Sequence, residues 1–353
     1  MQPTFRVAVL ITAAALTIAA GLTACAPGPS ITAGPARGTA SPAASQPPPS
    51  GGSTSAMPGP SGAAQAWTSG PSLPTPGVEQ HAAAIDGVIY VAGGIGADGA
   101  SMNTLQAFDP GAGTWSTLQP LPEPRDHFGL AALAGRLYLS GGEILSAGTV
   151  HKGLWVFDPE TQRWGALAPM PKQRSQHGMA AVGGMLYVVG GVVPGGNSKA
   201  IWAYDPTTGE WRTDLSEMPT ERNHLSVVES GGLVYAVGGQ TSELGNQTVI
   251  EAFDPATNSW QSLPPMPTAR SSTAIGAIGG GIHVVGGYDL DASVAYAQHE
   301  VFDTRTATWS TAPDLPTPRH STAAAVVDGR LYVMGGGPEA GLSTSDIVEV
   351  FSP

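Results

Sequence analysis

Leu186-Tyr187-Val188-Val189-Gly190-Gly191 is a short apolar strand that runs straight into paired glycines. Just upstream, Gly183-Gly184 is a tight-turn signal, so the alternating segment before it is expected to fold back as a hairpin. The same block returns every 48 or 49 residues, with Gly-Gly pairs at 93–94, 141–142, 190–191, 238–239, 286–287 and 335–336. Each pair follows a strand with an aromatic ring in one register: Tyr90, Tyr138, Tyr187, Tyr235, His283 and Tyr332. A fixed period of this length means stacked copies of one supersecondary unit, none of which can bury its apolar face alone.

Further along each unit an aromatic residue enters a turn, as in Phe108-Asp109-Pro110, Phe157-Asp158-Pro159, Tyr204-Asp205-Pro206, Phe253-Asp254-Pro255 and Phe302-Asp303-Thr304. A tryptophan then opens a fourth strand, at Trp115, Trp164, Trp211, Trp260 and Trp309. Trp155 and Trp202 fall outside that register, on third strands, and read as packing inside a blade. Gly-Gly, aromatic and tryptophan in fixed order resemble the kelch repeat, over nearly all of residues 67–353. The resemblance implies an all-β chain folded as a six-bladed β-propeller. The last repeat ends at Phe351-Ser352-Pro353 without its tryptophan strand, while Trp67 stands at the other end with no strands before it. The N-terminal strand is therefore expected to complete the last blade and close the ring, which leaves that sheet without an open edge.

Ahead of the repeats the chain reads differently. Arg6 precedes an apolar run over residues 7–22, about 16 residues and so shorter than the roughly 20 of a spanning helix. Leu22-Thr23-Ala24-Cys25 resembles a bacterial lipobox, which implies a signal peptide over residues 1–24 and a lipid on Cys25, the lone cysteine. Several acyl chains hold a protein at a bilayer where one chain is marginal. Residues 25–66, rich in Pro, Gly, Ser and Ala, bury too little to offset their ordering entropy and read as a tether. As a flexible coil it would span on the order of 35 Å. The expected location is the cell envelope, on the outer side of a bacterial cytoplasmic membrane or in a periplasm.

Composition narrows the partners. Gly (48) and Pro (32) are abundant and charged residues only 12%, as suits short strands joined by turns. A net charge of -12 with no basic run disfavours nucleic acid. A single cysteine excludes an intramolecular disulfide and a thiolate-rich zinc site. The expected partner is an extracellular glycan, peptide or protein, met by a monomer that needs no cofactor.

The loops that enter each first strand carry arginine sixteen positions before Gly-Gly in five repeats: Arg125, Arg174, Arg222, Arg270 and Arg319, with Gly77 in the sixth. Two readings compete. Arginine at this place in kelch repeats often bonds carbonyls or a neighbouring carboxylate, while a ring of guanidiniums at a channel mouth would receive an anionic ligand. Glu143, directly after Gly141-Gly142, is the carboxylate expected on the same face, as a ligand contact or a candidate base, with Gln240 and Tyr288 in its register.

His127, His177, His224 and His320 lie beside the arginines at unequal offsets, which argues against a common ligand shell, and the short Asp289-Leu290-Asp291 is no more than a solvated loop. No metal is expected. Among propeller enzymes, copper galactose oxidases need a cysteine-linked tyrosine, and sialidase Asp-box turns are one residue shorter than the Asp109 to Trp115 spacing. The bacterial kelch-type sugar-acid mutarotases are a nearer comparison. They would need an arginine for the sugar carboxylate, with Arg174 or Arg222 in view, and an acid-base pair including Glu143. The leading expectation is a binding module, and the alternative a mutarotase on sugar acids of the sialic acid type.

Overall fold

The computed structural model describes residues 65–241, 245–289 and 292–353. The signal, Cys25 and almost all of the tether lie outside them, as do Leu290 and Asp291. Six four-stranded antiparallel sheets follow one another. In the third, Gly178–Val182, Met185–Val189, Ile201–Asp205 and Glu210–Arg212 pair in sequence order from the axis outward. The innermost strands neighbour one another in a closed circle, with the last, Ala323–Val327, beside the first, His81–Ile85. This is the six-bladed propeller expected from the repeats.

Ring closure also follows the expectation. Ala66–Ser69 pairs antiparallel with Val348–Ser352, Trp67 opposite Phe351, as the outermost strand of the sixth blade. The strand begins at Ala66, one residue ahead of the boundary expected from Trp67.

The repeated residues each perform one mechanical task. In the five Asp-containing turns the carboxylate caps the backbone, as where Asp158 Oδ1 accepts from the Glu160 and Thr161 amides at 3.0 and 3.2 Å. Every register tryptophan stacks on its own third-strand aromatic and sends its indole N–H to a carbonyl in the preceding blade: Trp115 to Pro71, Trp164 to Gln119, Trp211 to Ala168, Trp260 to Ser216, Trp309 to Pro264 and Trp67 to Pro313. Of the two tryptophans outside the register, Trp202 is buried and Trp155 half-buried, both in apolar clusters between blades.

The second glycine of each pair donates its N–H across to the next blade, for instance Gly142 to the Arg174 carbonyl at 2.9 Å and Gly191 to the Arg222 carbonyl at 2.8 Å. Gly-Gly is thus an inter-blade seam. The inner strands are rich in small residues, His81-Ala82-Ala83-Ala84-Ile85 and Ala323-Ala324-Ala325-Val326-Val327 among them. Small side chains leave the axis open, and a cavity of about 480 Å³ runs along it.

The fifth blade departs from the pattern in a way that contributes to acid sensitivity. His283 replaces the usual tyrosine, and its Nδ1 lies 2.8 Å from Nε2 of His299, which replaces an aliphatic residue. Burial pushes His283 down to about 4 and His299 down to about 3, the latter also through His283 itself. Above the unfolded pKa near 6.5 both states are neutral. As pH falls below it the unfolded chain gains protons that the folded pair refuses, so stability is lost between about pH 6.5 and the folded values. Thermal melts at pH 7.5 and 5.0 are expected to show a drop worth about 2 kcal/mol per excluded ring. His283→Tyr with His299→Leu, which restores the other blades' residues, should remove that part of the drop, whereas an unchanged pH dependence would assign it elsewhere.

Candidate functional site

Two positions after each arginine, and after Gly77 in the first blade, the backbone turns left-handed at a residue that is not glycine. Glu79 (φ 53), His127 (φ 52), Gln176 (φ 56), His224 (φ 48), Ser272 (φ 53) and Ser321 (φ 53) occupy this place, one per blade. A side chain held there costs about 1 kcal/mol or more, so the surrounding structure must impose it. The imposition is visible. Backbone N–H groups of Gln176, His224, Ser272, Ser321 and Glu79 donate in turn to the carbonyls of His127, Gln176, His224, Ser272 and Ser321, at 2.8–3.0 Å, and link the blades around the axis. All six side chains line the axial cavity.

The loop after each Gly-Gly pair is bridged to this rim. Asp126 pairs with Glu143 and Asn223 with Gln240 by reciprocal backbone hydrogen bonds. Two blades apart, the same constellation therefore appears twice, once with acids and once with amides. His127 Nδ1 lies 2.6 Å from Asp126 Oδ1 and 3.2 Å from Glu143 Oε1. His224 Nδ1 lies 2.7 Å from Asn223 Oδ1 and 3.0 Å from Gln240 Nε2. Asp126 is buried and also takes a short hydrogen bond from Ser101 Oγ. Glu79, on the blade before His127, has its Oε1 3.5 Å from His127 Nε2 and accepts from Ser321 Oγ at 2.5 Å. The imidazoles of His127 and His224 meet edge to face, centroids 5.2 Å apart.

The acid set and the amide set polarise their histidines oppositely. Burial alone would lower His127, but the carboxylates of Glu79 and Asp126 outweigh it and hold the ring well above the usual histidine range. Burial dominates at His224 and takes it down to about 4 despite the pull of Glu79. Burial would raise Glu79, yet His127, His224 and the Ser321 hydroxyl hold it below the usual carboxylate range. The rim thus joins carboxylates of Glu79, Asp126 and Glu143 to one cationic imidazole.

The arginines expected at the mouth are elsewhere. Arg174, Arg222, Arg270 and Arg319 are fully buried and Arg125 is 3% exposed, and none of them lines the axial cavity. Each main-chain carbonyl receives the glycine N–H of the preceding blade while the guanidinium folds back into its own blade. Arg222 Nη1 donates to the Gly238 carbonyl and Nη2 to Glu251 at 2.8 Å; Arg270 and Arg319 likewise pair with Glu300 at 3.0 Å and Glu349 at 2.7 Å. In the third blade Trp202 stands where those blades have glutamate, and the Arg174 guanidinium lies 3.7 Å from its ring centroid. Burial without a carboxylate brings Arg174 down to about 9. Arg125 reaches the exposed Glu123 and the Pro124 carbonyl. The guanidiniums are anchors within blades, and the corrected site is the ring two residues further on.

Glu143 is half-buried and stands behind His127, its Oε1 3.2 Å from Nδ1, and is not among the residues that line the axial cavity. The four histidines separate. His127, His177 and His224 line the axial cavity, His177 with its Nε2 2.9 Å from Ser140 Oγ in the neighbouring blade, and His320 bonds Ser321 Oγ and the Glu339 carbonyl. Their scatter in sequence concealed an equal pair: His127 and His224 both stand two residues after arginine. Glu79, Gln176, Ser272 and Ser321 were missed, although the signal was present, since all six repeats carry a polar residue at this register.

Comparison with known proteins places the architecture. A family model described as the Attractin/LZTR1 β-propeller matches residues 89–336. An F-box/kelch-repeat protein of Arabidopsis thaliana is 38% identical over 60 residues, 17% of this chain and 16% of its own length. The kelch-like protein terF of Aspergillus terreus is 35% identical over 85 residues, 22% of this chain and 18% of its own. The chain thus spans less than a fifth of either relative. Among solved structures, YjhT superposes with a TM-score of 0.70 at 19% identity, over 79% of this chain and 95% of that one, a likeness of fold.

Proposed function

Since the chain belongs to the Attractin/LZTR1 β-propeller family, we propose that it is a ligand-binding module whose recognition site is the mouth of the axial cavity. The observation that carries this reading is the rim of six polar side chains, each held in a left-handed conformation and aimed at about 480 Å³ of open space. A small cavity with a few convergent polar groups is the usual form of a ligand site. Glu79, Asp126 and Glu143 against one imidazolium favour a neutral or cationic ligand, such as a hydroxyl-rich glycan or a basic peptide end, over an anion. In the same proposal Cys25 carries the lipid, and the domain works on the outer side of a bacterial membrane.

Calorimetry of the full chain, kept in chelator, against neutral, cationic and acidic oligosaccharides and short peptides tests the site. A neutral or cationic member should bind, with affinity reduced tenfold or more by Glu143→Gln and Gln176→Ala. Selective binding of acidic members, or binding indifferent to both substitutions, would move recognition away from this rim. Partition of the full chain into detergent, lost in Cys25→Ala, tests the anchor.

A second reading rests on the His127–Glu143 contact of 3.2 Å, a pair able to pass a proton through His127 on the cavity wall. This is the sugar-acid mutarotase, with the sugar carboxylate held by His127 because among the described residues no arginine lines the cavity. Anomer exchange followed by NMR decides it: turnover abolished in Glu143→Gln supports the enzyme, and intact turnover removes Glu143 as its base.

A further inference from the structure

We propose that Glu79, His127 and His224 form a binding site for one divalent transition-metal ion, Zn²⁺ foremost, on the propeller axis. The proposal goes beyond the ligand reading and does not depend on it. One ligand atom from each residue can be chosen so that all three lie within 4.8 Å of one another. The Glu79 Oε1 to His127 Nε2 separation of 3.5 Å is close to the roughly 3.3 Å between two ligands about 2.0 Å from a tetrahedral ion. Two histidines and one carboxylate are a sufficient protein shell for a metal that keeps open positions, and here those positions face the axial cavity.

The surroundings supply the independent support. A ligating histidine characteristically has its other ring nitrogen fixed by a carboxylate or an amide. Both rings meet that condition at Nδ1, His127 through Asp126 and Glu143 and His224 through Asn223 Oδ1, which leaves each Nε2 for the metal, with the proton on His127 Nε2 displaced on binding. Glu79 is oriented by Ser321 Oγ. The three ligands come from three blades, and the left-handed backbone places each on the rim without help from a bound ion. Unlike a surface cluster of acids, this set is oriented atom by atom from behind. Soft thiolate metals are disfavoured by the oxygen and nitrogen donors.

The experiment is a titration of the untagged full chain, stripped by chelator, with ZnCl₂ by calorimetry and with CoCl₂ by visible absorption. One equivalent is expected to bind, with tetrahedral or five-coordinate Co²⁺ bands. His224→Ala and Glu79→Gln are each expected to lower affinity at least a hundredfold, and Asn223→Ala about tenfold. His151→Ala, away from the axis, should change nothing. Circular dichroism of each stripped variant checks that it is folded, and Glu79→Gln keeps the side chain's shape should the histidine variant fail that check. Absence of stoichiometric binding to the wild-type chain overturns the proposal, as does unaltered binding in folded His224→Ala and Glu79→Gln. Because the glycan and peptide panel is run in chelator, loss of one proposal leaves the other standing.

Discussion

Arg222→Ala is expected to cost about 3–5 kcal/mol in chemical denaturation, although the same substitution at an exposed arginine would cost almost nothing. The guanidinium and the Glu251 carboxylate are both essentially out of water, 2.8 Å apart. Removing the arginine strands a buried carboxylate and also frees the Gly238 and Val249 carbonyls that it caps. Arg222→Met with Glu251→Leu should recover much of the loss, since an apolar pair avoids the desolvation of two charges. Ligand affinity at the axial rim should survive in whatever fraction remains folded. If Arg222→Ala is folded and stable but has lost ligand binding, the guanidinium is a recognition group after all.

Gly141→Ala is expected to destabilise the domain by about 3 kcal/mol or more, far beyond the usual penalty for a glycine in a turn. Its φ is +59°, and an added methyl would sit 2.3 Å from the Arg174 carbonyl and 2.6 Å from Met170 Cε. The neighbouring Gly142 N–H donates to that same carbonyl, so the clash would pry open the seam between the second and third blades. Gly183→Ala is the control. It has φ +57° but open space around the position, and should cost only about 1 kcal/mol. Equal losses at the two sites in urea titrations would show that backbone conformation alone, with no seam, accounts for the requirement.

The blade number, strand order and closing strand were legible in the sequence because they rest on residues that every repeat must keep. Each Gly-Gly pair is required by a close inter-blade approach and each register tryptophan by an indole bond to the blade before it. Such tasks recur six times and leave a period. Arginine was harder to read, since a buried anchor and an exposed anion receptor leave the same spacing. The partner residue distinguishes them: Glu251, Glu300 and Glu349 each stand 29 or 30 positions after their arginine, and only Trp202 breaks the pairing in a blade whose arginine is fully buried. The candidate site left no letter shared by all six repeats, only a polar residue at one register. Glu79, His127, Gln176, His224, Ser272 and Ser321 share a backbone conformation and offer four kinds of side chain, as expected where the scaffold is common and the ligand sees a varied rim.

The pairing of Ala66–Ser69 with Val348–Ser352 has a consequence for how the protein is made. The strand translated first in the propeller is the last to find a partner, because that partner, Val348–Ser352, is the last of the propeller's strands to be made. At ordinary synthesis rates of about 5–20 residues per second, the intervening stretch of roughly 280 residues takes about 15–60 s. Throughout that time five blades can assemble while the circle stays open, with the inner strand His81–Ile85 lacking its sixth-blade neighbour. Birth order therefore makes this seam the point of greatest exposure to aggregation, and a stalled or truncated chain would keep it open.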